Sequence, residues 1–225
     1  MYTPTPITAI GNCLFESMAA NRNKFVDCSG HADIRKKVAL DISARYAKDK
    51  DYREGVQISF CVAMQSLASN ACANTTFFSE EGKEVYFGSR CTIWSRYWKR
   101  QYSLDDWLLD MMTPVYRSDT DPFMRAVKWG TDIHIEAAAR VYDVTIKVIV
   151  VDPCDKRKVL SVHEVQPTHE VHEKAREIWR IVFDNVGHYE GFMSDENVKV
   201  GDVLDYDNLD LSTAAVNRRR RGVAT

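Results

Sequence analysis

The sequence predicts a single α+β domain built in layers. Segments with helical periodicity fill the first part of the chain, and segments rich in β-branched residues gather late. The two kinds do not alternate, which argues against a regular βαβ array. The chain has 225 residues, 45% hydrophobic and 28% charged, enough for a buried core without cross-links. We expect one domain over residues 1–216 and a flexible basic tail over 217–225.

The first three helices are predicted from apolar spacing. Cys13–Ala20 is a short helix, because apolar residues one turn apart follow a chain break at Gly11. Apolar residues at four-residue intervals predict longer amphipathic helices over about His31–Lys48 and Glu54–Ser69. These helices would supply one layer of the domain.

Two further helices begin at capping residues. Ser103–Asp106 forms a capping box and opens a helix that carries several large apolar residues. Thr131 could cap another helix, with its apolar residues on one face. On the opposite face, Asp132, Glu136 and Arg140 have the spacing of helical salt bridges.

The strands are predicted in the last third of the chain. Val144–Val151, Val159–Val165 and Ile178–Phe183 are rich in β-branched residues and are separated by turn-like segments. A last short strand is expected around His188–Met193. A sheet made from these strands would form the second layer.

The charge distribution argues against a nucleic-acid platform. The 30 basic and 32 acidic residues give −2, but four basic residues form Arg218–Arg221, and the other 26 against 32 leave −6 for the rest of the chain. An acidic body favours a basic protein partner, although such a bias also serves solubility. Arg218–Arg221 is a solvated tail by default; a nuclear signal, a nucleic-acid contact and a processing site in a longer polypeptide stay open.

No segment predicts a membrane span or a secretory signal. The longest apolar stretch, near Val144–Val151, is interrupted by Lys147 and is too short for a bilayer. Met1–Pro4 is not a basic region that leads into an apolar run. The six cysteines have no paired spacing. We therefore expect reduced thiols and a cytoplasmic location.

The sequence predicts no metal and no cofactor. The metal-like spacings are Cys28 with His31, and His163 with His169 and His172. Neither group supplies four ligands at the intervals that structural zinc needs. No glycine-rich loop of the kind that cradles phosphate is present.

The stretch Gly11–Phe15 offers a nucleophile. The thiol of Cys13 would lie in the first turn of a helix, against unsatisfied backbone amides and the positive end of the helix dipole, which stabilise a thiolate. Gly11 allows close approach of a substrate, and neighbouring amides could bind an oxyanion. The alternative is a buried structural cysteine at a helix start.

His188 offers a base. It follows the apolar strand Ile178–Phe183, and a rigid strand end can hold an imidazole in place. Glu190 would share a strand face with His188 and could orient the ring. The alternatives are a surface histidine in a turn and one more surface carboxylate.

Together these segments resemble the ovarian tumour (OTU) cysteine proteases, most of which are deubiquitinases. The matching segments run in the family's order from about residue 7 to 193: Gly11–Phe15, Trp129–Gly130, a helix with Ala137, Ala138 and Tyr142, an apolar strand, and His188–Tyr189. Residues from about 52 to 125 do not match a recognisable segment of the family. In this family that region commonly helps to hold ubiquitin.

The resemblance implies a papain-like fold, with a small mixed β-sheet packed between helices, and hydrolysis of the isopeptide bond after the C-terminal glycine of ubiquitin. Cys13 would attack the carbonyl, and His188 would protonate the leaving amine and then activate water. The amides of Ile10, Gly11 and Asn12, together with that of the cysteine itself, would stabilise the oxyanion.

The resemblance also implies contacts with substrate. Trp129 would form a wall of the narrow channel for the ubiquitin tail, with a structural core position as the alternative. Gly130 and Tyr189 are the other expected substrate-binding residues. The expected partner is ubiquitin or polyubiquitin, with ubiquitin-like modifiers left open, and the chain is expected to act as a monomer without nucleic acid or membrane.

Two residues depart from the family's pattern. Asp is usual three residues before the nucleophile, where this chain has Ile10, and Asn or Asp is usual two residues after the histidine, where it has Glu190. We expect Glu190 as the third catalytic residue. Asn185, a backbone carbonyl, or no third residue at all are the alternatives.

Two other functions stay open at this point. A catalytically silent ubiquitin-binding module is one, since Ile10 could be an early sign of lost activity. A cysteine endopeptidase that processes a viral-type polyprotein is the other.

Overall fold

The structure is a computed structural model that describes residues 4–5, 11–23, 30–70, 77–78, 92–95, 100–115, 128–152, 154–155, 158–167, 176–184, 187–192 and 197–204. Within these ranges the helices are α1 (Cys13–Asn23), α2 (His31–Lys48), α3 (Lys50–Asn70), α4 (Leu104–Met111) and α5 (Asp132–Tyr142). The strands in the same ranges are β1 (Pro4–Thr5), β2 (Phe77–Phe78), β3 (Thr92–Ser95), β4 (Arg100–Ser103), β5 (Thr145–Val151), β6 (Val159–Val165), β7 (Ile178–Phe183) and β8 (Tyr189–Phe192).

The main sheet is small and mixed. Its strand order is β1-β8-β7-β5-β6, in which β5 and β7 run parallel and the other neighbours are antiparallel. A separate small sheet has the order β2-β3-β4. The predicted α+β class with a small mixed sheet is confirmed.

The two faces of the main sheet bury different clusters, because successive side chains of a strand point to opposite faces. Trp179 and Ile181 of β7 join the larger cluster, which also contains the apolar residues of α1, α2, α4 and α5. Val182 of the same strand joins a second cluster with Phe192 and Leu204. Helix α1 packs against β7 and β8, and this contact places the start of α1 beside the start of β8.

Several predicted elements agree closely with the structure. Strands β6 and β7 have the predicted bounds, as does α2. The capping box of α4 is formed: the Asp106 N–H donates to Ser103 Oγ at 3.1 Å, and Asp106 Oδ2 accepts the Ser103 N–H at 2.8 Å. These features depend on local sequence, which is why periodicity and capping patterns find them.

Helix bounds differ where tertiary contacts extend a helix. Helix α1 continues past the predicted Ala20 because the Asn21 amide bonds both the N–H and the carbonyl of Arg180 in β7, at 2.8 and 2.7 Å. The predicted Glu136–Arg140 salt bridge of α5 is wrong. Arg140 turns inward and bonds Asp41 Oδ2 of α2 at 2.7 Å.

Some expectations fall on residues outside the described ranges. These include the basic run Arg218–Arg221, so the domain bounds and the tail stay predictions. Strands β2 to β4 lie in the region that matched nothing and were not predicted. In the part of the chain that the structure describes, no helix is long and apolar enough to cross a membrane.

Candidate active site

Cys13 is the first residue of α1, and a glycine turn leads into it. Gly11 has φ of 93°, a backbone region that favours glycine. The Asn12 carbonyl accepts the Glu16 N–H at 2.9 Å and starts the helical hydrogen-bond ladder. The thiol therefore lies at a helix N-terminus, and Cys13 is only 6% exposed.

The side chain of Asn12 is committed to structure. Its Nδ2 donates to the Val115 carbonyl at 2.7 Å, and its Oδ1 accepts the Val115 N–H at 2.9 Å. This reciprocal pair fixes the loop before Cys13 to the segment that follows α4. Only the backbone of Asn12 is therefore available for the predicted oxyanion site. Ile10, the other predicted donor in this loop besides Gly11, lies outside the described residues.

A tight loop holds His188 at the start of β8. The Asp184 N–H donates to the His188 carbonyl at 3.1 Å, and the His188 N–H donates to Asp184 Oδ1 at 2.9 Å. Gly187 inside this loop has φ of 115°, which a residue with a side chain rarely adopts. These two bonds tie the backbone of His188 to Asp184, directly after β7. Asn185, the alternative third residue, lies outside the described residues.

Glu190 faces the imidazole. Its Oε1 lies 3.6 Å from His188 Nε2, within ion-pair range but longer than a hydrogen bond. Both side chains are mostly buried, at 15% exposure for the histidine and 18% for the glutamate. The other ring nitrogen, Nδ1, is fully buried. The i, i+2 placement predicted from the strand pattern thus brings the carboxylate to one side of the ring.

Cys13 contacts the segment that carries His188 through the backbone of Tyr189. Its N–H hydrogen-bonds to the sulfur of Cys13, which lowers the pKa of the thiol. His188 is the preceding residue, so the packing of α1 on β8 brings the predicted nucleophile and the predicted base to one site. The two are 175 positions apart in the chain, by subtraction of their numbers.

Burial dominates the electrostatics of the thiol. The net effect raises the pKa of Cys13, since loss of solvation by burial outweighs the amides of Tyr189 and Leu14. Glu16 raises this pKa further, and Arg35 lowers it. The amides at the helix start lower the pKa of the thiol, as expected, but the effect of burial is larger. The site needs a base to take the thiol proton.

This direction gives a pH prediction. A raised pKa leaves little thiolate at neutral pH, so alkylation of Cys13 by iodoacetamide should climb about tenfold per pH unit from pH 7 upward. The measurement is the rate of mass gain on the peptide that contains Cys13. A rate that is already flat below pH 7 would contradict it, because that profile requires a thiolate–imidazolium pair in the free chain.

Trp129 is a rim residue and not part of the core. It is 41% exposed, and its indole lies where a β-carbon on Gly187 would come within 3.4 Å. The partly exposed ring therefore stands beside Gly187, next to His188 in the chain. The core alternative for this residue is excluded, and its contact with substrate stays a prediction.

Gly130 and Tyr189 both make packing contacts next to the site. A β-carbon on Gly130 would lie 2.2 Å from Leu14 Cδ2, so only glycine lets this segment pack on the first turn of α1. The Tyr189 side chain is 7% exposed and stacks on Phe183 with ring centroids 4.7 Å apart. The prediction that Tyr189 binds substrate stays a prediction; in the structure its ring packs on Phe183 and its backbone N–H bonds the thiol of Cys13.

Two buried polar residues were missed by the sequence analysis. Arg35 of α2 is fully buried, and its guanidinium lies 4.2 Å over the Phe15 ring. His134 of α5 is fully buried between Phe15 and Trp107, and burial, with the charge of Arg35, lowers its pKa to about 3. For Arg35, the sequence signal was a charged residue on the apolar face of α2.

The metal-like spacings fall partly outside the described residues. In these ranges no three side chains of His, Cys, Asp or Glu are grouped so that they could hold a metal ion. Cys28, His169 and His172 lie outside the described ranges, so those spacings are untested.

The fold and the site define an α+β domain with a cysteine, a histidine and a carboxylate at the junction of α1 and β8. No protein-family model matches the chain, and no curated protein is significantly similar to it. Among solved structures, the chain is similar to the viral OTU domain protease from Dera Ghazi Khan virus, with 15% identity and a TM-score of 0.41 over 85% of this chain and 80% of that one.

Two further likenesses are to other OTU domains. The OTU domain of OTUD1 has 11% identity and a TM-score of 0.47, over 86% of each chain. An OTU deubiquitinase from Wolbachia pipientis wMel bound to ubiquitin has 14% identity and a TM-score of 0.37, over 85% of this chain and 94% of that one. The likeness to OTU domains indicated by the sequence is thus also found among solved structures. Because these TM-scores are below 0.5, the site residues carry the functional conclusion.

Proposed function

We propose that this chain is a deubiquitinase, a thiol-dependent hydrolase that cleaves the isopeptide bond after the C-terminal glycine of ubiquitin. The observation that carries the proposal is the hydrogen bond to the thiol of Cys13 from the backbone N–H of Tyr189, the residue between His188 and Glu190. The choice of ubiquitin rests on the resemblance of the cysteine, Trp-Gly and His-Tyr segments to OTU proteases.

The ring nitrogens of His188 have separate tasks in this proposal. Nε2 faces Glu190 Oε1 at 3.6 Å, so the carboxylate stabilises a proton on that nitrogen. This tautomer leaves Nδ1 as the base for the thiol. Glu190 therefore acts through the imidazole, and not on the substrate.

Acylation begins when His188 Nδ1 takes the proton of Cys13 and the sulfur attacks the glycine carbonyl carbon. The carbonyl oxygen becomes an oxyanion, for which the backbone N–H groups of Asn12 and Cys13 are the proposed donors. The intermediate collapses, the carbon–nitrogen bond breaks, and His188 gives its proton to the leaving lysine amine. Ubiquitin is left as a thioester on Cys13.

Deacylation reverses the proton path. His188 takes a proton from water, and the resulting hydroxide attacks the thioester carbonyl. The carbon–sulfur bond breaks, and the sulfur regains a proton from the imidazolium. Ubiquitin leaves with a free carboxylate. Trp129 is the proposed wall for the extended tail, since its indole is exposed beside the histidine loop.

The experiment that tests the proposal compares two fluorogenic substrates that end in the same residues. One is full ubiquitin conjugated to a fluorophore, and the other is a tetrapeptide with the same C-terminal sequence. A deubiquitinase should turn over the ubiquitin substrate with a far higher kcat/KM. Binding without turnover would favour the silent module, and cleavage of only a longer precursor would favour the polyprotein endopeptidase.

Glu190 gives a prediction about the third residue. Glu190→Ala should lower kcat roughly 10- to 100-fold, less than loss of the base itself, because the carboxylate acts only through the ring. Glu190→Gln should retain more activity than Glu190→Ala, since its amide oxygen can still accept the Nε2 proton. The measurement is kcat on ubiquitin–fluorophore across the pH range in which the imidazole titrates.

A matched control for this prediction lies on β6. Glu164 is also a strand glutamate near a cation, with its Oε2 3.5 Å from Lys147 Nζ. Glu164→Ala should leave kcat unchanged. Wild-type turnover in Glu190→Ala would show that the third residue lies elsewhere or is absent.

We also infer a monomeric, cytoplasmic enzyme, which rests on the sequence expectations alone. Linkage preference is tested with a panel of ubiquitin dimers of each linkage. The same assay with ubiquitin-like modifiers determines whether they are substrates.

A further inference from the structure

Arg35 is a buried cation that binds the loop before the nucleophile. Its Nη2 donates to the Gly11 carbonyl at 2.8 Å and to Asn12 Oδ1 at 3.1 Å. Its Nη1 donates to the Lys128 carbonyl at 2.9 Å. One planar guanidinium thus joins the two chain segments that border the site.

Burying the charged guanidinium of Arg35 costs desolvation free energy that a residue needed only for packing would not incur. The oxygen atoms that accept from Arg35 in the described residues are two backbone carbonyls and an amide, so no carboxylate bonds to its charge there. Burial lowers the pKa of Arg35 to about 9, so it stays protonated at neutral pH. An apolar side chain of similar volume would fill the same space without a desolvation penalty. A role in the site explains why a guanidinium stands here.

The geometry of the peptide group supplies that role. In a planar trans peptide the C=O and the following N–H point in opposite directions. Arg35 holds the Gly11 carbonyl toward the core, so the N–H of Asn12 in the same peptide points away from the guanidinium. Glycine at φ of 93° permits other orientations of this peptide, and the pair with Val115 holds the Asn12 side chain but not the Gly11 carbonyl.

We propose that Arg35 is a positioning residue, which fixes the Gly11–Asn12 peptide so that its N–H faces the oxyanion formed on Cys13. This inference rests on the proposed function. The bond to Lys128 extends the effect, because Lys128 precedes the Trp129 rim and Gly130, which packs on Leu14. Arg35 therefore also sets the distance between the cysteine loop and the opposite wall.

The test uses Arg35→Lys, which keeps the charge and loses the planar fork. We expect kcat on ubiquitin–fluorophore to fall roughly 10- to 100-fold with little change in KM, as for a misplaced catalytic group. Affinity for ubiquitin with a C-terminal aldehyde should fall in parallel. The thiol of Cys13 adds to the aldehyde: its sulfur bonds to the carbonyl carbon, and its proton goes to the oxygen. The adduct is tetrahedral at carbon and therefore mimics the intermediate.

Two further readouts separate positioning from stability. Alkylation of Cys13 by iodoacetamide should stay near the wild-type rate, since that reaction forms no oxyanion and Arg35→Lys keeps the charge. Arg140→Lys is the matched control: it removes a guanidinium that is likewise buried, but one that bonds Asp41 and Tyr52 Oη. It should lower the melting temperature and leave kcat unchanged.

The outcomes distinguish the two proposals. A wild-type chain without activity on ubiquitin overturns both. An active wild type whose Arg35→Lys variant keeps kcat and aldehyde affinity within twofold overturns only the role of Arg35. A loss of kcat matched by an equal loss in Arg140→Lys also overturns it, because the effect then follows from stability.

If Arg35→Lys does not fold, a measurement on the wild-type chain tests the role of Arg35 instead. Hydrogen-bonded groups in series polarise one another, so an adduct oxygen that accepts from the Asn12 N–H should strengthen the bond from Arg35 to the Gly11 carbonyl. The Nη–H signals of Arg35 in nitrogen NMR should therefore shift when the aldehyde binds. Unchanged Arg35 signals in the adduct would overturn the proposal.

Discussion

Cys13→Ala is expected to abolish hydrolysis of ubiquitin–fluorophore, with kcat lowered by roughly 10⁴-fold or more. The substitution removes the sulfur that forms the thioester in the proposed mechanism. Affinity for ubiquitin should change little, because the side chain is 6% exposed and offers little contact area. Turnover and fluorescence anisotropy with labelled ubiquitin measure the two quantities separately.

The control for this variant is the exposed cysteine of the described residues, Cys154. Cys154→Ala should have wild-type turnover, since this residue lies in the segment between β5 and β6. Activity that survives in Cys13→Ala would show that another cysteine is the nucleophile, and the assignment of the site would be wrong.

His188→Ala is the second variant with a large expected effect. Loss of the base should lower kcat roughly 10²- to 10⁴-fold, because the thiol of Cys13 is protonated at neutral pH and the leaving amine needs a proton. The fold should persist, since the bonds between Asp184 and residue 188 involve the backbone of His188. Steady-state kinetics and thermal unfolding measure these effects.

His163 provides the comparison for that variant. It lies on β6, with Nε2 2.9 Å from Ser161 Oγ, in exposed surroundings. His163→Ala should leave kcat unchanged. A kcat for His188→Ala within a few-fold of wild type would mean that the imidazole does not transfer protons, and the Cys–His mechanism would have to be abandoned.

The parts of the fold that sequence predicted are those that depend on local pattern. β6 and β7 have the expected bounds because segments rich in β-branched residues between turn-like segments predict strands, and α4 starts at its capping box. The relation of His188 to Glu190 was also predictable, since it follows from the two-residue period of a strand.

The parts that sequence did not predict depend on contacts between distant segments. The Asn12 amide pairs with the Val115 backbone, and Arg35 reaches Lys128, across 103 and 93 positions. The pKa of the Cys13 thiol also depends on contacts between distant segments. Its position at a helix start was predictable, whereas the burial that raises its pKa arises from the packing of β8 on α1.

Tyr189 illustrates the limit of reasoning from motifs. Its place beside His188 predicts a substrate contact, which stays a prediction, whereas the structure shows its ring stacked on Phe183 and its N–H facing Cys13. A motif fixes which residues come together, whereas the backbone direction decides which atoms face the site. Arg35 had no motif at all, since one charged residue on an apolar helix face is a weak signal.

The most direct measurement is covalent trapping by ubiquitin that carries an electrophile in place of its C-terminal carboxylate. If the chain is a deubiquitinase with Cys13 as nucleophile, the probe should form one adduct per chain, located on the Cys13 peptide by mass spectrometry. The adduct should be lost in Cys13→Ala and kept in Cys154→Ala. No adduct on the folded wild-type chain, or an adduct on a different cysteine, would contradict the proposed function.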